Sequence, residues 1–295
     1  MDLEKLLRLP ASAVLGFGPF APVVREYAGE HPGDAPLGEA VPADRREGFL
    51  QALGQAAARM EAVNREEIRE FGVEADPGDL RYQWGDPDVN ERVVRMIEEQ
   101  YPLPAPGQPG DVVFYGPSNI TLWYSLERDM LPYPAQNHGM GGCIDEDMMR
   151  YAPRLLYPYR PRAVFFQTGS NDIAGGIPLE VILQNKEKMY RMFLENMPES
   201  QLVVCSGLPL PGRTQFWDAT VETNRLLEEL CARTQRLHFL DATGAMLTSS
   251  GPQELRTSDG RYFNPAYFRQ DRIHLNKRGH DVWTALMKEK LREIL

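Results

Sequence analysis

The chain has 295 residues, 42% apolar, 25% charged and 9% aromatic, a globular composition that excludes disordered, collagen-like and membrane-spanning chains. Its 32 basic and 42 acidic side chains leave a net charge of −10, which argues against general nucleic-acid binding and against attraction to an anionic membrane surface. Three cysteines without a Cys-x-x-Cys pair exclude a disulfide framework or zinc ribbon and fit a reducing compartment. No signal peptide is legible at the N-terminus, so the expected location is cytoplasmic.

Residues 1–110 are rich in Pro, Gly, Ala and acidic side chains and predict a mainly helical extension or cap with two helices. In the first, from about Arg45 to Phe71, Phe49, Leu53, Ala56, Ala57, Met60, Val63 and Phe71 recur near helical spacing, and Gly72 suits the position just past the end. The second starts at Asp86-Pro87, an N-cap followed by proline at the first helical position, and continues through Val89, Val93 and Ile97. Tyr101 to Gly110 reads as an extended linker.

From Asp111 the pattern changes. Short apolar runs ending in Gly, Ser or Asn (111–116, 162–169, 201–207 and 237–244, with a weaker one before Asn137) alternate with amphipathic stretches at 119–130, 145–157, 179–197, 218–234 and 276–294. Continuous apolar strands alternating with helices predict a parallel sheet covered on both faces, an α/β domain over 111–295.

Ligands in such a sheet bind beyond the carboxyl ends of the strands. The segments there are Gly116-Pro117-Ser118-Asn119, Asn137-His138-Gly139-Met140-Gly141-Gly142 and Gly169-Ser170-Asn171-Asp172. Asp271-Arg272-Ile273-His274 stands further on. Each part suits acyl transfer. Ser118, at a strand-to-helix junction, is the candidate nucleophile, and a serine hydroxyl needs a nearby imidazole to take its proton. His274 is the candidate base, and Asp271, three residues earlier, is placed to hold its tautomer. Attack on an ester creates an oxyanion, for which the backbone N–H groups of Ser118 and Gly142 and the Asn171 amide are candidate donors.

Together these four segments resemble the blocks of the SGNH (GDSL-type) hydrolase superfamily. Ser118, Gly142, Asn171 and His274 stand at the four name-giving positions and Asp271 at the Asp-x-x-His position. The resemblance implies a flavodoxin-like three-layer α/β/α sandwich, a five-stranded parallel sheet in order 2-1-3-4-5, a Ser-His-Asp esterase site, and neither metal nor organic cofactor. One departure is Pro117, where the family carries aspartate.

The expected function is hydrolysis of a small-molecule carboxylic ester through an acyl-enzyme, with a short acyl group such as a sugar O-acetyl as first substrate class. Lysophospholipid or thioester substrates, acyl transfer to another acceptor, and a non-catalytic binding module stay open, as does the oligomeric state. His138 and Trp217 are candidate pocket walls. His280 reads as a helix-surface residue, His31 and His238 as structural. Cys143, Trp123, Trp283 and the Met-rich stretches around Met148 and Met189 read as core packing.

Overall fold

A computed structural model describes residues 3–11, 14, 20–73 and 89–295. The N-terminal region carries more helix than its periodicity predicts: α1 (Leu3–Arg8), α2 (Ala21–Ala28) and α3 (Leu37–Ala40) precede α4 (Arg46–Arg69). The first three are too short for an apolar stripe to repeat. Helix α4 matches its expected span and buries Phe49, Leu53, Ala56 and Ala57 against Val23, Val24 and Leu37. Beyond it Gly72 adopts φ +64°, a left-handed conformation that favours glycine. These helices share a core of their own, from Leu6 to Ala57.

Helix α5 (Val89–Gln100) follows; its expected Asp86-Pro87 start lies outside the described residues. Val93, Val94 and Ile97 of α5 join the core of the sheet rather than that of the first four helices.

The sheet has five parallel strands, β1 (Gly110–Gly116), β2 (Ala135–Gly139), β3 (Pro161–Phe166), β4 (Gln201–Cys205) and β5 (Leu237–Leu240), in the order β2-β1-β3-β4-β5. Both faces are covered, which explains the unbroken apolar runs. Val113, Tyr115, Val164, Phe166, Leu202 and Val204 point to one face. Val112, Phe114, Ala163, Phe165, Val203 and Cys205 point to the other.

Between β1 and β2 the expected single helix divides into α6 (Ser118–Thr121) and α7 (Leu126–Asp129). The break lets Trp123 turn edge-on to Phe114, while Asp129 Oδ2 accepts the Trp123 Nε1–H and the Ser125 hydroxyl. Strand β2 runs through Asn137 rather than ending before it. Its signal is weak because Gln136, Asn137 and His138 are polar, yet all three are buried and hydrogen-bonded.

The remaining helices are α8 (Asp145–Leu155), α9 (Ser170–Ala174), α10 (Leu179–Asn196), α11 (Trp217–Ala232), α12 (Thr243–Met246) and α13 (Lys277–Ile294). Helices α5, α8, α10 and α11 cover the first face. Helices α6, α7 and α13 cover the second, through Ile120, Leu126, Trp283, Met287 and Leu291. The result is the expected α/β/α sandwich with an N-terminal helical region.

Candidate active site

The site is built where β1 and β2 end. Pro117 leaves β1 in an extended conformation, and its carbonyl accepts the N–H groups of Ile120 and Thr121, so that Ser118 opens a single helical turn. Proline there forgoes an N–H that a first helical turn would leave unpaired. The turn sits tight on β2: a Cβ on Gly139 would lie 2.3 Å from the Thr121 nitrogen, so only glycine fits.

Ser118 Oγ lies 2.8 Å from His274 Nε2, and His274 Nδ1 lies 2.6 Å from Asp271 Oδ2. An ionised carboxylate only accepts, so Nδ1 carries the proton and Nε2 keeps its lone pair for the serine hydroxyl. Burial works to raise the Asp271 carboxyl, but the electrostatic field and ring N–H of His274 and the backbone N–H groups of His274 and Ile273 hold it well below the usual carboxylate range. Asp271 therefore stays charged at neutral pH.

Asp271 also shapes its own loop. Its Oδ1 accepts the N–H groups of Ile273 (2.8 Å) and His274 (2.9 Å), around Arg272 at φ +60°. Phe268 bridges Leu275, and the Arg269 N–H donates to the His274 carbonyl at 2.7 Å. The turn-capping and ring-orienting roles of Asp271 thus coexist, one per carboxylate oxygen.

Asn119, one residue past Ser118, ties this loop to the serine turn. Its Oδ1 accepts the Leu275 N–H at 2.9 Å, and its carbonyl lies 3.0 Å from His280 Nε2. No sequence motif assigns Asn119 a role, although it stands beside the serine. His280 is fully buried, not on a helix surface as expected, because α13 turns this face inward onto Asn119, Trp123 and Phe71. Burial, only partly offset by the carbonyls of Asn119 and Asn276, lowers its pKa to about 4, so the ring is neutral.

The three candidate oxyanion donors lie on three loops. The N–H groups of Ser118 and Gly142 have no hydrogen-bond partner among the described residues. Gly142 adopts φ +80°, which turns the backbone after β2 in a way other residues resist. Asn171 Nδ2 donates one hydrogen to the Cys143 carbonyl at 3.1 Å, leaving its second N–H available. Arg213, from the loop after β4, fixes the other end of that amide: Nη1 lies 3.2 Å from Asn171 Oδ1 and also reaches the Ser170 carbonyl and hydroxyl. Burial pulls the Arg213 pKa down against the field of Asp271. Nothing in the local sequence pattern singles out Arg213.

Beneath these loops lies a buried charge cluster. Lys186 Nζ is 3.1 Å from Asp145 Oδ1, both side chains 0% exposed. The same oxygen accepts the Thr168 hydroxyl at 2.6 Å, and the Asp145 N–H donates to Asp172 Oδ1 at 3.2 Å. The cluster joins the loop after Gly142 to the residue after Asn171. Burial, then the Asp145 charge, raise the Asp172 carboxyl, while Lys186 opposes them. Lys186 is legible only from its helical spacing with Ile182, Met189 and Phe193, all buried on α10.

The two candidate pocket walls are both packed inside the fold. His138 is 0% exposed, its Nδ1 2.6 Å from the Leu155 carbonyl and its ring against Tyr101 and Tyr159; it points to the opposite face of β2 from Asn137. Trp217 is buried with Leu255 and Phe263, where a two-stranded ribbon of residues 247–248 and 262–263 folds over it. Cys143 is buried packing, and burial and the acids around it push its thiol pKa up, away from a nucleophilic role. A groove of about 430 Å³ between α10 and the start of β5 is at the far edge of the sheet from Ser118. Among the described residues no cluster of His, Cys, Asp or Glu is arranged to hold a metal, and no helix is long and apolar enough to cross a membrane.

The fold is a three-layer α/β/α sandwich, and Ser118, His274 and Asp271 form one hydrogen-bonded line at the end of β1. Residues 115–282 match the sequence profile of the GDSL-like lipase/acylhydrolase family, and the chain belongs to that family. Solved structures share the fold. A protein described as an acylhydrolase from Bacteroides fragilis superposes with a TM-score of 0.56 at 20% identity, over 72% of this chain and 98% of its own. A protein described as a platelet activating factor from Streptococcus pneumonia gives 0.55 at 15%, over 81% and 99%. A GDSL-like lipase from Bacteroides thetaiotaomicron gives 0.53 at 16%, over 70% and 98%. No curated protein sequence matches the chain.

Proposed function

We propose that the protein is a serine ester hydrolase that works through an acyl-enzyme. The observation that carries this reading is the unbroken line from Asp271 Oδ2 through both nitrogens of His274 to Ser118 Oγ, with contacts of 2.6 and 2.8 Å. Ser118 Oγ attacks the ester carbonyl while His274 Nε2 takes its proton. The resulting imidazolium is stabilised by Asp271, whose low pKa keeps it an acceptor. The developing oxyanion is held by the N–H groups of Ser118 and Gly142 and the free N–H of Asn171. His274 returns the proton to the leaving alcohol, and water, deprotonated by the same ring, releases the acid.

The polar surroundings of the donors, Ser170, Asn171 and Arg213, favour a short acyl group on a polar alcohol over a long lipid chain. We assign this chemistry to residues 111–295 and treat residues 1–110 as an extension that lends α5 to the sheet.

The test is intact-mass spectrometry with a fluorophosphonate probe on wild type, Ser118→Ala and His274→Ala, followed by turnover of p-nitrophenyl esters of two to eight acyl carbons. A single adduct on wild type, absent from Ser118→Ala and much slower on His274→Ala, is expected, with turnover falling as the acyl chain lengthens. No adduct on folded wild-type protein overturns the reading in favour of a binding module. Label with turnover rising toward the long esters retains the hydrolase and overturns the short-acyl assignment.

A further inference from the structure

The loop that carries Asp271 and His274 is gripped from outside the sandwich. Near the end of α4, Glu67 divides its carboxylate between two partners on this loop: Oε2 accepts Arg269 Nε–H at 2.7 Å and Oε1 accepts the Gln270 backbone N–H at 2.8 Å. One turn earlier, Asn64 Oδ1 accepts Arg269 Nη2–H at 3.1 Å. The Arg269 side chain is 4% exposed and that of Glu67 15%, so this is no solvent-screened surface pair. Arg269 and Gln270 run directly into Asp271. The Arg269 N–H is also bonded to the His274 carbonyl, and its own carbonyl accepts the Arg272 N–H. Displacing Arg269 therefore moves both ends of the turn that holds the imidazole.

The helix is itself fastened on that side. Ile68 and Phe71 are buried, Phe71 meets Tyr124 and His280 edge-on, and Arg128 Nη2 donates to the Phe71 carbonyl. Arg272 holds a left-handed backbone conformation that a residue with a side chain adopts reluctantly. A turn of that kind persists where its surroundings fix it.

We propose that Glu67 and Asn64 are positioning residues for the Asp271–His274 turn, so that the N-terminal helices clamp the reaction centre instead of merely covering the sheet. The proposal rests on the hydrolase reading for its kinetic arm alone; its structural arm is independent. Neither residue touches substrate. The clamp acts by holding the imidazole where Ser118 Oγ needs it, and misplacement of a reacting group by about 1 Å costs on the order of 100-fold in rate.

The experiment compares full-length wild type, Glu67→Ala, Glu67→Gln and a control, Glu222→Gln, which loosens an exposed ion pair on α11. Hydrogen–deuterium exchange is followed for peptides spanning 268–276 and for β1 and β3, alongside kcat, KM and the fluorophosphonate labelling rate. Glu67→Ala is expected to speed exchange at 268–276 while β1 and β3 stay protected. It should lower kcat and labelling by about 10- to 100-fold with KM little changed. Glu67→Gln, which keeps an acceptor for Gln270 N–H, should recover part of both losses; it also carries the test if Glu67→Ala does not fold. Glu222→Gln should match wild type. Unchanged exchange at 268–276 in both Glu67 variants overturns the clamp. A loosened loop with wild-type kcat overturns the positioning role. An unlabelled, inactive wild type whose loop still loosens on losing Glu67 supports the clamp and refutes the hydrolase reading instead.

Discussion

His280 is held neutral where an unfolded chain would hold it protonated on mild acidification. Its ring lies between the carbonyls of Asn276 and Asn119, and the folded pKa is about 4 against an ordinary value of 6.5. The unfolded state therefore binds the proton first, so this residue's stabilisation is complete above pH 6.5 and declines as pH falls toward 4. At about 1.4 kcal/mol per pKa unit, the contribution is roughly 3 kcal/mol for a fully buried ring. His280→Gln keeps a side-chain amide near Asn119 and cannot take up this proton. Urea unfolding of both proteins between pH 7.5 and 4.5 should show a shallower loss of stability in the variant. Equal slopes would mean that His280 protonates in the fold without penalty. His138, also buried and also lowered to about 4, remains in both proteins and cancels from the comparison.

At the scale of elements, the loops bearing Gly142 and Asn171 depend on the buried Lys186–Asp145–Asp172 cluster. Lys186→Met keeps the volume and removes the cation, leaving two carboxylates in the interior. Breaking a buried pair in this way costs about 3–5 kcal/mol. The urea midpoint should drop accordingly, and the deficit should shrink on acidification, because protonation of Asp172 removes uncompensated charge. A midpoint within error of wild type would mean that water or a shifted helix already relieves the cluster.

The same elements explain what the sequence made legible. Strands β1, β3 and β4 announce themselves because two-sided burial makes their cores apolar, and the candidate segments bearing Ser118 and Asn171 stand just past the ends of β1 and β3. β2 is blurred because its polar side chains find partners only in tertiary structure: Asn137 on the Ile120 carbonyl, His138 on that of Leu155. The division of α6 from α7 follows from Trp123 seeking Phe114, a contact no local pattern encodes. Ser118, Gly142, Asn171, Asp271 and His274 are readable from short motifs. Arg213, Asn119 and Glu67 are not, since each acts on a residue distant in sequence, and the surface reading of His280 and the wall reading of His138 fail because both rings are buried by tertiary partners.

For the whole molecule, the first four helices have a core cluster apart from those of the sandwich, and the end of α4 contacts the sandwich through Glu67 and Phe71. Leu53, fully buried in the N-terminal core, is a suitable probe of their independence. Leu53→Ala should cost about 2–5 kcal/mol. If the helices open as their own cooperative unit, hydrogen exchange will quicken in α2 and α4 while β1, β3 and β4 keep wild-type protection. Uniform quickening would instead make the chain one cooperative unit.

The distance along the chain between Ser118 and its proposed base, His274, has a consequence for biosynthesis. These residues are 156 apart, and the Glu67–Arg269 contact spans 202. A nascent chain carries α1 to α4 and all five strands before His274 is synthesised. Under the proposed hydrolase reading, reactivity waits until His274 has cleared the ribosomal tunnel, so the site is silent throughout most of translation.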